Sequence, residues 1–177
     1  MFRLNPDVTP ERYDLTFNVD LVKDQFSGTA DILTNIAPSS QNLRYLTVSA
    51  AVTLNITSSK VVNSANQQEI AVKDAFFYQP YEFWVIELQA PLQVAKVNLK
   101  FEFTSALATD MYGFYRSDYV DPTNNRIVKL AATQFQATYA RRAFPSFDEP
   151  AFKAVFHVTI TYDKSYTTTL SNGEVLK

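Results

Sequence analysis

Apolar and polar residues alternate with a period of two through much of this chain, and no other feature constrains its fold as strongly. Tyr13, Leu15, Phe17, Val19 and Leu21 are interleaved with Asp14, Thr16, Asn18 and Asp20. In an extended chain the first set faces a core and the second faces water. The polar stretch Lys23-Asp24-Gln25 interrupts the pattern, and Phe26, Gly28, Ala30 and Ile32 resume it. A hairpin is expected there, with a glycine suited to a bulge or a close strand contact. The alternation returns at Val97, Leu99, Phe101 and Phe103 against Lys96, Asn98, Lys100 and Glu102. It returns again at Phe152, Ala154, Phe156, Val158 and Ile160 against Lys153, Val155, His157, Thr159 and Thr161. Both runs are expected at the edges of one sandwich core.

No stretch of a dozen residues holds a 3.6-residue period, and the 14 Phe, 10 Tyr and single Trp suit pleated, half-buried surfaces. Turn-forming clusters such as Asn63-Ser64-Ala65-Asn66 and Asp121-Pro122-Thr123-Asn124-Asn125 punctuate the strands. A chain of 177 residues buries roughly 70% of its unfolded surface as one domain. The expectation is a single all-β domain built as an antiparallel β-sandwich.

Charge narrows the function classes. Sixteen basic and 18 acidic side chains are interspersed to a formal net charge of −2, so no basic field invites nucleic acid. No apolar run approaches the roughly 20 residues of a membrane span, and MFRLNPDVTPERYDL lacks a signal-peptide layout. Cysteine is absent, so disulfides contribute nothing. Asn55-Ile56-Thr57 fits the N-glycosylation acceptor pattern.

The densest chemistry lies in TQFQATYARRAFPSFDEP, residues 133–150. Asp148 and Glu149 are adjacent, so in extended chain they point in opposite directions and are poorly placed to act as acid and base on one bond. A structural loop in which Asp148 or Glu149 pairs with Arg141 or Arg142 is the expected use. Gln134 and Gln136 are two apart, which on a strand places both amides on one face with Val128, Leu130 and Ala132. Such a pair can hold a peptide's ammonium group or backbone, although on spacing alone a plain surface face is the better explanation. His157 is the only histidine and falls on the polar side of its run, which argues for a solvated residue and against a metal ligand. HExxH and GxSxG are missing, and three glycines make no phosphate cradle. No catalytic residue and no metal site is expected in this chain.

Several segments together resemble the N-terminal domain of zinc aminopeptidases of the aminopeptidase N family, the gluzincin aminopeptidases, in an insect-like form. They are RLNPDVTPERYDLTFNVDL, FSGTADI, GFYRSDY at 113–119 and ATQFQATYARRAFPSFDEPAFKAVFHVTI. The resemblance implies a saddle-like all-β domain packed on a catalytic domain of the same parent protein, with zinc held there by HExxH and a later Glu. It implies that Gln136 helps bind the α-amino group of a peptide substrate and that Gln134 lines the pocket for the first side chain. Ser146 stands where relatives commonly have cysteine. The resemblance further implies an extracellular or membrane-anchored ectodomain, with a cytosolic location as the alternative. Relatives continue through further strands, so the chain is expected to lack its last strands, and TTTLSNGEVLK to leave an unpaired edge open to self-association. The rival reading is a standalone sandwich module that recognises a protein or glycan.

Overall fold

A computed structural model describes residues 3–40, 42–166 and 168–175. The alternating runs become strands: β1 (Val8–Asp20), β2 (Gln25–Ile36), β3 (Tyr45–Ser49), β4 (Asn55–Asn63), β5 (Glu69–Ile70), β6 (Val72–Tyr78), β7 (Phe83–Leu88), β8 (Lys96–Ala106), β9 (Gly113–Val120), β10 (Ile127–Gln134) and β11 (Val155–Thr161). They form a six-stranded sheet ordered β11-β1-β2-β8-β4-β5, a three-stranded sheet β3-β7-β6 and a two-stranded ribbon β10-β9. The all-β, sandwich-like expectation holds.

The inward sets are the ones the period predicts. Tyr13, Leu15 and Phe17 of β1 and Val97, Leu99, Phe101 and Phe103 of β8 are buried, and they share one core with Leu46, Val48, Ile86 and Leu88 of the smaller sheet. Outward positions of the large sheet carry cross-strand polar pairs: Lys96–Glu11 at 2.7 Å, Asn98–Asp31 at 2.6 Å and Lys100–Asp31 at 3.3 Å. The β1–β2 hairpin turns at residues 21–24, where the Asp20 carboxylate accepts from the amides of Val22 and Lys23. Gly28 marks a close contact and not a bulge. A Cβ there would lie 2.5 Å from the Thr16 carbonyl oxygen and 2.7 Å from the Phe103 ring. The register shift falls in β1 instead, between Pro10 and Arg12.

The last run departs from expectation in two ways. β11 pairs with β1 in parallel, the other strand pairs being antiparallel. Its alternation also does not translate into burial, since Phe156 and Val158 remain 49% and 39% exposed. β11 is the edge strand of its sheet, so only the side facing β1 is covered. Phe156 stacks on Tyr13 there at 4.5 Å. Tyr13 is itself a hub: its hydroxyl accepts the Phe147 amide at 3.0 Å, and burial pushes that hydroxyl well above the usual phenol range. Residues 168–175 of the segment expected to form the unpaired edge contain no strand, and Thr167, Leu176 and Lys177 of it lie outside the described residues.

Candidate functional site

The ribbon β9–β10 and the loop that follows it gather the sequence-predicted residues. Register places Gln134 opposite Gly113, and Ala131 opposite Arg116. Paired residues share a face, so Phe114, Arg116, Lys129 and Ala131 turn toward the body while Tyr115, Ser117, Tyr119, Val128, Leu130, Ala132 and Gln134 turn away. Burial agrees, with Phe114 buried 4.9 Å from the Phe26 ring and Leu130 and Tyr119 exposed. Midway along the inner face, Asp24 clamps both strands. Its carboxylate accepts from Arg116 at 2.6 Å and from Lys129 at 2.9 and 3.0 Å. Hydrogen bonding from Lys129, followed by Arg116, holds the Asp24 carboxyl below its ordinary range.

The amide pair is close in space, but not by the strand geometry that spacing suggests. β10 ends at Gln134, and Gln136 stands in a turn over residues 136–139, closed by the Tyr139 amide donating to Phe135 at 2.9 Å. The Gln136–Ala137 peptide is cis. Phe135 anchors the turn by pointing inward, its ring 5.7 Å from Phe144. What joins the pair is a side chain to backbone bond: Gln134 Nε2 donates to the Gln136 carbonyl at 3.3 Å. Both residues are exposed, and the Gln136 side-chain amide makes no hydrogen bond among the described residues. An amide left this way offers one acceptor and two donors to a ligand.

The four charged residues of the loop separate into three groups of contacts. Arg141 Nε donates to Asp148 Oδ2 at 2.9 Å, with the two side chains only 14% and 9% exposed, and Arg141 Nη1 reaches Glu82 at 3.4 Å. The guanidinium meets the Asp148 carboxylate through Nε alone, not as a bidentate fork, and the Arg141 backbone amide donates to the same oxygen at 3.3 Å. Arg142 turns instead to Asp110 at 2.8 Å. Glu149 serves the chain's start, accepting from Arg3 Nε at 2.6 Å and from the Leu4 amide at 2.8 Å. Backbone bonds between Ser49 and Ser146, at 2.7 and 3.0 Å, and from Ala51 to the Arg141 carbonyl sew the loop to the end of β3. Ala143, Phe144 and Phe147 are buried beneath it. Each carboxylate is thus committed to a separate structural partner.

Sequence reasoning did not anticipate Asp24 or a second cluster beside the amides. There Tyr112 stacks on Tyr139 at 4.4 Å, and the Arg142 guanidinium lies over the Tyr139 ring at 5.2 Å. Tyr112 is separated from Tyr139 by tens of residues, and Asp24 lies farther still from Arg116 and Lys129, so no local pattern announces either grouping. His157, taken as solvated, is exposed and bonds Asp14 at 2.9 Å. Asn55 opens β4, exposed, and donates to Thr104 at 3.3 Å. Among the described residues no three His, Cys, Asp or Glu side chains gather as a metal would require, and no helix is long and apolar enough to cross a membrane.

With this geometry in view, comparison with known proteins is specific. The family described as the Peptidase M1 N-terminal domain matches residues 9–177. Glutamyl aminopeptidase of Bos taurus is 33% identical over 180 residues, covering 99% of this chain and 18% of the relative. Aminopeptidase M1-B of Oryza sativa subsp. japonica is 35% identical over 175 residues, covering 99% and 19%. Puromycin-sensitive aminopeptidase of Caenorhabditis elegans is 34% identical over 174 residues, covering 98% and 18%. The chain therefore spans less than a fifth of the length of these relatives, and it belongs to the Peptidase M1 N-terminal domain family.

Proposed function

We propose that this domain is the non-catalytic N-terminal part of a zinc aminopeptidase that removes single residues from peptide N-termini, and that it contributes Gln134 and Gln136 to the substrate site. The observation that carries this reading is the uncommitted Gln136 amide, held at the end of a braced ribbon with the Gln134 side chain bonded to its carbonyl. A peptide's ammonium group needs acceptors, which the Gln136 side-chain oxygen supplies without a full charge. Gln134 borders the space for the first side chain. The described residues do not fit zinc, because His157 is alone with Asp14 and lacks further donors. The metal and its chemistry belong to a catalytic domain of the same parent, and this domain's part is to bind and orient.

Substituting Gln136 by Ala in the parent enzyme is expected to lower kcat/KM by the equivalent of about 1–3 kcal/mol, as for a lost hydrogen bond to a charged group. Unchanged kinetics across several peptides remove Gln136 from the site. Exposed Asn55 suits an extracellular or membrane-anchored ectodomain. Loss of mass on treating the natively expressed protein with an N-glycosidase, abolished by Asn55→Gln, checks that placement against a cytosolic one.

The rival reading, a standalone recognition module, draws on exposed Tyr119, Val120 and Ile127 near the ribbon's tip. A coding sequence that continues beyond Lys177 into HExxH decides for the enzyme, and a stop codon there decides for the module.

A further inference from the structure

The stacked rings of Tyr112 and Tyr139 are built into the same end of the ribbon as the amide pair. Tyr112 directly precedes Gly113, the register partner of Gln134, and Tyr139 closes the turn that holds Gln136. The stack is fixed before any ligand arrives. Asp110 holds both sides of it, accepting from the Tyr112 amide at 3.4 Å and from Arg142 at 2.8 Å. Arg142 in turn lies 5.2 Å over the Tyr139 ring. Gly113 permits this approach: it has a positive φ of 74°, and a Cβ on it would lie 2.7 Å from the Arg142 Cβ. A short loop and the start of the braced loop are thereby pressed together, with two rings left face to face at 4.4 Å.

Tyr112 nonetheless keeps 43% of its surface exposed, and its neighbour Met111 keeps 65%. This is an apolar surface with one open side, at the end of the ribbon where Gln134 pairs with Gly113. The nearby cations are already used. Arg142 is paired with Asp110, and Arg141 with Asp148 and Glu82, so an acidic ligand side chain finds no uncommitted guanidinium in either residue. Resting on the reading of Gln134 and Gln136 as substrate contacts, we propose that the Tyr112–Tyr139 stack is a specificity wall of the first side-chain pocket. It favours peptides whose N-terminal residue is aromatic or large and aliphatic over those beginning with a small or acidic one.

The test uses the full-length enzyme carrying this domain, with four peptides that differ only in an N-terminal Phe, Leu, Ala or Glu. Tyr112→Ala is expected to lower kcat/KM for the Phe and Leu peptides about three- to tenfold, the worth of one aromatic contact, and to leave the Ala and Glu peptides unchanged. Tyr112→Phe, which keeps the ring, is expected to retain the preference. An equal loss on all four peptides, or no loss on any, overturns the proposal, the first by making the stack purely structural. Gln136→Ala assayed on the same peptides separates the two readings. If it is silent while Tyr112→Ala is selective, the amide reading falls and the wall stands. If it weakens all four peptides while Tyr112→Ala is without selectivity, the wall falls and the amide reading stands.

Discussion

The braced loop of residues 140–149 and the β9–β10 ribbon are neighbours in space and opposites in construction. The loop hides its charges: Arg141 and Asp148 are nearly buried against each other, and Phe144 and Phe147 fill the core below. The ribbon shows its face, with Tyr119, Leu130 and Gln134 open on the side away from the body. A half-exposed carboxylate, Asp24, holds that ribbon from behind. The difference teaches which charges to read as structure. Where ionic groups are dense and mutually satisfied they hold a scaffold, and the groups with spare hydrogen-bonding capacity stand beside them, uncharged.

The largest effect that would break this contrast is on stability. Arg141→Ala leaves Asp148 nearly buried without its guanidinium, and removal of one partner from a buried pair costs about 3 kcal/mol. Urea denaturation followed by tryptophan fluorescence or circular dichroism is expected to show that loss. Gln134→Ala on the exposed ribbon is expected to leave the midpoint within experimental error. A loss for Gln134→Ala comparable to that for Arg141→Ala would erase the distinction between scaffold and presented face.

A smaller effect of opposite sign sharpens it. Ser146 Oγ and Ser49 Oγ are buried with no hydrogen-bond partner, although their backbones are paired. Ser146→Ala removes an unsatisfied hydroxyl at almost constant shape, and a gain of about 1 kcal/mol is expected in the same urea experiment. A loss of stability would show that the hydroxyl is satisfied in solution, and that the brace has less of its polar groups in reserve than the geometry indicates.

Legibility followed the range of the interactions. The strands of the large sheet were readable because alternation is local: Tyr13, Leu15 and Phe17 declare their face within five residues. β11 obeys the same pattern, yet its Phe156 is half exposed, because burial depends on what covers a strand and not on its own sequence. The amide pair was found by spacing and misplaced by it. The strand ends one residue before Phe135 buries its ring, and a turn, not a pleat, carries Gln136. Loop pairing was legible in kind for Arg141 and Asp148, which are seven apart. Glu149 with Arg3 and Arg142 with Asp110 are joined only by the fold. The Tyr112–Tyr139 stack and the Asp24 clamp belong to that last class, and no reading of neighbours in sequence reaches them.

The Asp24 clamp supplies the smallest effect and the finest separation of the two regions. Its folded carboxyl is depressed, so the clamp contributes fully above the ordinary aspartate value of about 3.9 and is lost as pH falls through the lower folded value. Protonation leaves Arg116 and Lys129 without their shared acceptor, while Phe114 continues to hold the ribbon's base in the core. Hydrogen exchange of the β9 and β10 amides, relative to those of β1 and β8, is therefore expected to accelerate only in strongly acidic solution. Asp24→Asn is expected to bring that acceleration to neutral pH and to flatten its acid dependence, with the protection of the large sheet unchanged. If the mutant ribbon stays as protected as the native one, Phe114 alone positions it and the carboxylate is a bystander. If the large sheet loosens in step, ribbon and scaffold are one cooperative unit, and the exposed face is held by the same forces as the brace.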